Sequence, residues 1–161
     1  MCSWLLELFG RFGEDFLLSK VKILFLCTGN ACRSQMAEAW ARNLKGEEIE
    51  AYSAGVEVHG LDPRAVKVMA EVGVDLSRQR SKSVEEVLSV PFDFVITLCG
   101  QAGENCPLFP GRVRIVRAGF EDPPILAKDE TDPEKALDHY RRVRDEIKAF
   151  VETLPDFLKG N

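Results

Sequence analysis

The stretch Val21 to Cys27 (VKILFLC) is aliphatic and aromatic and carries no charge after Lys22, the pattern of a central parallel strand buried on both faces. It ends on a cysteine. After five intervening residues, Arg33 precedes a run of good helix formers, Ser34 to Ala41, in which Met36, Ala37 and Trp40 share one face. A buried strand that turns this sharply into a helix belongs to a parallel α/β arrangement, because parallel strands need helical crossovers between them. The rest of the chain agrees. Glu48 to Ser53 reads as a second strand, and Asp62-Pro63 opens a second helix that Gly73 closes. Phe92 to Leu98 is a third strand and Val113 to Val116 a shorter fourth. Asp132-Pro133 starts a long helix through Leu137, Tyr140, Val143, Ile147 and Phe150. The expected fold is a single α/β domain, a four-stranded parallel sheet with helices on both faces.

A chain of 161 residues leaves room for one such core. Its formal charge of −5 argues against a nucleic-acid partner, which calls for a basic surplus or stripe. No apolar run reaches the roughly 18 residues of a membrane span. The start of the chain lacks a basic leader, and Glu7 and Arg11 interrupt any signal-peptide core, so a cytoplasmic protein is expected. Within residues 1–20, Trp4, Leu5, Leu8, Phe9, Phe12 and Phe16 recur at helical spacing, although Gly10 and Gly13 weaken the pattern. This segment reads as an extension, an amphipathic helix appended to a domain over residues 21–161. Five cysteines are too few, and odd in number, for a secreted disulfide scaffold. They point to catalysis, redox chemistry or metal.

The densest chemistry lies in Cys27-Thr28-Gly29-Asn30-Ala31-Cys32-Arg33-Ser34. Main-chain N–H groups of a tight turn entering a helix form a concave nest that, with the helix dipole, holds a tetrahedral oxyanion. The same donors favour the thiolate of Cys27 and make it a nucleophile. Arg33 adds a planar fork for two oxygens of the anion. Ser34 is placed to donate its hydroxyl hydrogen to the Cys27 sulfur, while Gly29 and Asn30 tolerate positive φ. Triphosphate and dinucleotide loops are excluded, since neither a Gly-Lys-Ser/Thr ending nor a Gly-x-Gly-x-x-Gly run is present.

From Val21 to Glu38 the chain resembles the active-site loop of the low-molecular-weight protein tyrosine phosphatase superfamily. More narrowly, Cys-Thr-Gly-Asn-x-Cys-Arg-Ser-Gln-Met-Ala-Glu is similar to the thioredoxin-coupled arsenate reductases, with Gln35 where the phosphatases commonly carry proline. The resemblance continues through Tyr52-Ser53-Ala54-Gly55, Val95 to Cys99, Cys106-Pro107 and Gly119 to Pro123, roughly Val21 to Phe150 in all. It implies a low-molecular-weight phosphatase-like sheet in flavodoxin-like order. Cys99 ends the third expected strand, and Cys106 follows across a glycine-containing loop flexible enough to bring two sulfurs together. A zinc site is the weaker alternative, because neither His59 nor His139 stands at ligand spacing from these thiols.

The resemblance further implies that Cys27 attacks arsenate, that Cys99 then attacks Cys27 to release arsenite, and that Cys106 moves the disulfide to Cys99–Cys106 for thioredoxin to reduce. Residues 28–34 (Thr28, Gly29, Asn30, Ala31, Cys32, Arg33, Ser34) would bind the oxyanion, and Asp122 would be the general acid, with Glu121 as its rival. Cys32 itself is given a packing role, and His59 and His139 surface or capping roles. Some relatives hold a monovalent cation. Asn30, Glu38 and Ser53 resemble its ligands, yet Lys82 stands where an acidic partner is expected, so activity insensitive to potassium is expected. No cofactor, no resident metal and a monomeric state complete the reading. Two rival functions stay open: a phosphoester-hydrolysing phosphatase using Cys27, Arg33 and Asp122 alone, and a non-catalytic oxyanion or redox sensor.

Overall fold

The computed structural model describes residues 19–100 and 109–160. The amphipathic segment expected within residues 1–20 lies almost wholly outside them, as do Cys2 and Cys106. The described chain runs β1 (Val21–Cys27), α1 (Arg33–Lys45), β2 (Ile49–Gly55), α2 (Pro63–Glu71), a 3-10 turn (Val84–Val87), β3 (Phe94–Cys99), β4 (Arg114–Phe120), α3 (Pro123–Leu126), α4 (Pro133–Glu152) and α5 (Asp156–Lys159). All sheet pairings are parallel, in the order β2-β1-β3-β4. The expected four-stranded parallel sheet is thus observed. Its order reverses direction at β1, and in open parallel sheets the crevice at such a reversal is where ligands bind.

Alternation along the strands sorts the core. Ile23, Phe25, Ile96 and Leu98 face one side, where α1, α2 and α4 pack through Met36, Trp40, Val68, Met69, Tyr140 and Ile147. Leu24, Leu26, Ala54 and Val95 face the other, covered by Val87 of the 3-10 turn together with Phe92, Phe109 and Val113. Helical structure therefore lies on both faces, but the three long helices share one. The Trp40 indole donates to Arg144 O (3.2 Å) and Arg144 Nη1 donates to Val68 O (2.9 Å), which ties α1 and α2 to α4.

Element boundaries follow local chemistry. Asp62 caps α2 by accepting from Arg64 N, with Pro63 at the first helical position. Gly73, at φ +78°, closes it: Gly73 N donates to Ala70 O and Val74 N to Met69 O, a Schellman pair. Three strands depart from the sequence reading. β2 runs Ile49–Gly55, where Glu48 to Ser53 is expected, because its pairing with β1 continues to Cys27. β3 begins at Phe94 rather than Phe92, because Phe92 N is turned to Val90 O and the Asp93 carboxylate is engaged by Lys22 N. β4 extends to Phe120, four residues beyond the expected end. Among the described residues it is an edge strand, paired on one side by β3, so its exposed Arg114 and Arg117 do not interrupt it although they obscure its apolar pattern.

Gly55, the last residue of β2, pairs in register with Cys27. A Cβ there would stand 2.7 Å from Thr28 O and 2.8 Å from Asn30 N, both main-chain atoms that cannot swing aside. Gly55→Ala is expected to cost about 1–3 kcal/mol of unfolding free energy through this overpacking, measured by urea denaturation.

Candidate active site

The loop between β1 and α1 is shaped from outside. Thr28 O accepts from Glu57 N (3.0 Å), Gly29 O from His59 N (3.2 Å) and Ser81 Oγ (3.1 Å), Asn30 O from Gln35 Nε2 (3.0 Å), and Ala31 O from Asp62 N (3.0 Å). In a trans peptide the N–H points opposite to the carbonyl. With the carbonyls of residues 28–31 engaged by the surrounding protein, the N–H groups turn toward the recess the loop encloses. N–H groups disposed in this way form an anion-binding nest. Of the two residues expected to suit positive φ, Asn30 adopts it, at +47°.

The recess holds about 230 Å³ and is lined by Cys27, the loop, Arg33, His59, Asp122 and the residues Pro124 and Ile125 of α3. The Cys27 sulfur lies 2.8 Å from Ser34 Oγ, and Asn30 Nδ2 donates to the same oxygen at 2.8 Å. Arg33 is buried, with Nη1 donating to Phe120 O (3.0 Å) and Leu98 O (3.3 Å), so it ties the helix start to the ends of β4 and β3. Its Nε stands 3.5 Å from Asp122 Oδ1. Asp122 is carried there by the last residues of β4 and by Pro123, which starts α3. Its rival Glu121 points elsewhere, to Arg142 Nη2 at 2.6 Å. An oxyanion in this recess would meet N–H groups, a guanidinium, a thiol and a carboxyl group together.

Cys32 is buried beside Cys27. Burial pushes its thiol up, and the charges of Asp62, Asp122 and Cys27 add to that against Arg33. Cys99 ends β3, the strand neighbouring β1, and is partly exposed. Cys99 pairs with Phe120 across a register shift between Thr97 and Cys99, so the strand end that carries it is irregular. Cys106 lies outside the described residues. His59, expected at the surface, is indeed exposed, but its ring lies over Gly29 at the rim of the recess. The one signal for that placement is its position four residues after Gly55, opposite Cys27 in register.

Glu38 is buried on α1 and fully engaged: Arg42 Nη2 at 2.7 Å, Ser53 Oγ at 2.7 Å and Lys82 Nζ at 3.9 Å. The Lys82 ammonium also reaches Ser53 Oγ (3.4 Å) and Arg80 O (3.3 Å). Burial lowers its proton affinity, with Glu38 opposing. The Lys82 ammonium thus stands beside the hydrogen-bonded Glu38–Ser53 pair, where the sequence resemblance implies an acidic partner for a cation.

A family model for low molecular weight phosphotyrosine protein phosphatase matches residues 22–161. An arsenate reductase of Halalkalibacterium halodurans is 48% identical over 140 residues, covering 84% of this chain and 99% of that protein. One from Bacillus subtilis is 48% identical over 135 residues, 81% of this chain and 95% of its own. Among solved structures, an arsenate reductase in its oxidized state superposes with a TM-score of 0.67 at 35% identity, covering 83% of this chain and 95% of that one.

Removing the hydroxyl that touches the sulfur isolates its effect. Ser34→Ala is expected to slow alkylation of Cys27 by iodoacetamide at neutral pH about tenfold, the scale of one hydrogen bond to a charged group. Peptide mass spectrometry, which separates Cys27 from the other cysteines, reads the rate.

Proposed function

Because the chain belongs to the low molecular weight phosphotyrosine protein phosphatase family, and its relatives at close to half identity are named arsenate reductases, we propose that it reduces arsenate to arsenite by a three-cysteine relay. The observation that carries this reading is the pairing of an oxyanion nest around one thiol, Cys27, with a second thiol, Cys99, at the end of the adjacent strand. Hydrolysis of a phosphoester requires only the first.

Arsenate enters the recess with its oxygens on the loop N–H groups and Arg33. The Cys27 thiolate forms a bond to arsenic as the bond to one arsenate hydroxyl breaks, and that hydroxyl departs as water by taking its second proton from Asp122. The thiolate of Cys99 then attacks the Cys27 sulfur. The sulfur–arsenic bond breaks with its electron pair left on arsenic, which falls from the pentavalent to the trivalent state and leaves as arsenite. A Cys27–Cys99 disulfide remains. This step requires the Cys99 sulfur to come within bonding distance of the Cys27 sulfur. The Cys106 thiolate next attacks Cys99, freeing Cys27 as thiolate, and thioredoxin reduces the resulting Cys99–Cys106 disulfide. Each cycle consumes arsenate and two thiols and yields arsenite, one disulfide and water. We propose that the protein works in the cytoplasm as a monomer and that residues 1–20 form an extension to the catalytic domain.

Arsenate-dependent NADPH oxidation with thioredoxin and thioredoxin reductase tests the relay. Turnover is expected in the wild type and loss to background in Cys106→Ser and Cys99→Ser. Equal hydrolysis of p-nitrophenyl phosphate by all three proteins, without arsenate turnover, would establish the phosphatase reading instead. Lys82 supports a second expectation: the rate in potassium chloride matches that in sodium chloride, and a clear rise with potassium would count against the ammonium filling that position.

A further inference from the structure

Gln35 is fully buried, and no step proposed above uses it. Its Nε2 lies 3.0 Å from Asn30 O, 2.9 Å from Asn30 Oδ1 and 3.0 Å from Arg80 O. Two of these are main-chain carbonyls, which can only accept, so the nitrogen end of the amide has one orientation. Its oxygen end accepts from Gln79 Nε2 at 2.7 Å, and the same nitrogen reaches Gln35 O at 3.1 Å. The same logic orients Asn30. Lys82 N can only donate and lies 2.9 Å from Asn30 Oδ1, so Nδ2 is the atom facing Ser34 Oγ. Ser34 thus accepts from Asn30, and its own hydrogen is left for the Cys27 sulfur.

The outward carbonyls of the loop are not held equally. Those of Thr28, Gly29 and Ala31 accept from main-chain N–H groups, which a side-chain substitution cannot remove. Asn30 O accepts from a side chain, that of Gln35. Asn30 is moreover a non-glycine residue at φ +47°, a conformation that needs its surroundings to hold it. Once its carbonyl lost that donor, the Asn30–Ala31 peptide would be released to rotate. Rotation brings an oxygen toward the bound anion and takes the Ala31 N–H away.

We propose that Gln35 is a positioning residue for the oxyanion, holding the Asn30–Ala31 peptide with its N–H inward and the Asn30 amide in the one orientation that directs the Ser34 hydrogen to Cys27. It rests on the reading of this recess as an oxyanion site. Gln35 touches neither anion nor sulfur; its contribution passes through Asn30.

Protection of Cys27 from iodoacetamide by inorganic phosphate tests this in the reduced full-length chain, with Cys27 resolved by peptide mass spectrometry and folding checked by thermal melting. For Gln35→Met the phosphate concentration giving half-protection is expected to rise about tenfold, the loss of one hydrogen bond to a charged group. Gln35→Glu keeps the side chain's shape but offers at most one hydrogen, and none once ionised. Its defect relative to wild type is expected to grow as pH rises, whereas that of Gln35→Met stays level. The charged and titratable groups facing Cys27 across the recess, Arg33, Cys32, His59 and Asp122, are common to all three proteins and cancel in the ratio. A folded variant of either kind protected at the wild-type phosphate concentration overturns the inference, and Gln35→Glu decides alone if Gln35→Met fails to fold. Rapid deuterium exchange of the Gln35 side-chain amide in the wild type also overturns it. If phosphate fails to protect wild-type Cys27, the oxyanion site itself is wrong and the inference falls with it; protection of the wild type alone separates the two.

Discussion

A loop whose carbonyls are all drawn outward is the constraint from which the chemistry of this molecule follows. Four peptide units between Cys27 and Arg33 cannot place their N–H groups on a common point unless their oxygens are satisfied elsewhere, because a buried unpaired carbonyl is costly. The partners come from two distant stretches of chain, Glu57, His59 and Asp62 after β2 and Ser81 before the 3-10 turn, and from Gln35 in the first turn of α1. The nest is therefore a property of the assembled domain. Gly55 belongs to the same constraint, since only a residue without a side chain lets β2 pass so close beneath the loop.

The sheet supplies the frame for this loop. Reversal of strand order at β1 opens a crevice at the carboxyl end of that strand, and Arg33 closes it by bonding to carbonyls at the ends of β3 and β4. One guanidinium thereby links the oxyanion loop, the strand that carries Cys99 and the turn that carries Asp122. Anything that binds Arg33 acts on a group already engaged with both neighbouring strand ends.

Legibility in the sequence tracked how local each feature's cause is. β1, α1 and α4 were readable because a continuous apolar run or a helical period is written into consecutive residues. The caps of α2 and α4 were readable because Asp-Pro and glycine act within a turn. β4 was read short, because an edge strand needs little apolar sequence when its stability comes from pairing on one side with β3. The choice between Asp122 and Glu121 was open, since adjacent acids in one turn differ only in where the following helix points them. Arg142, twenty-one residues away, takes Glu121. His59 at the rim, and Gln79 completing the amide chain behind the loop, left no mark in the local pattern.

The sequence by itself determined that a cysteine ends a buried strand, that an arginine opens the following helix, and that the segment between them suits an oxyanion. Those are consequences of residue type and short-range spacing. Only the tertiary structure decided which donors engage the loop's carbonyls, which carboxylate faces Arg33, that the Lys82 ammonium stands beside the Glu38–Ser53 hydrogen bond, and that Gln35 bonds both Asn30 and Arg80. Apart from the Gln35–Asn30 contact, each of these rests on an approach of about 3 to 4 Å between residues far apart in the chain. Hydrogen bonds and ion pairs of that length are set by how the packed elements meet, and no periodicity along a strand or helix encodes them.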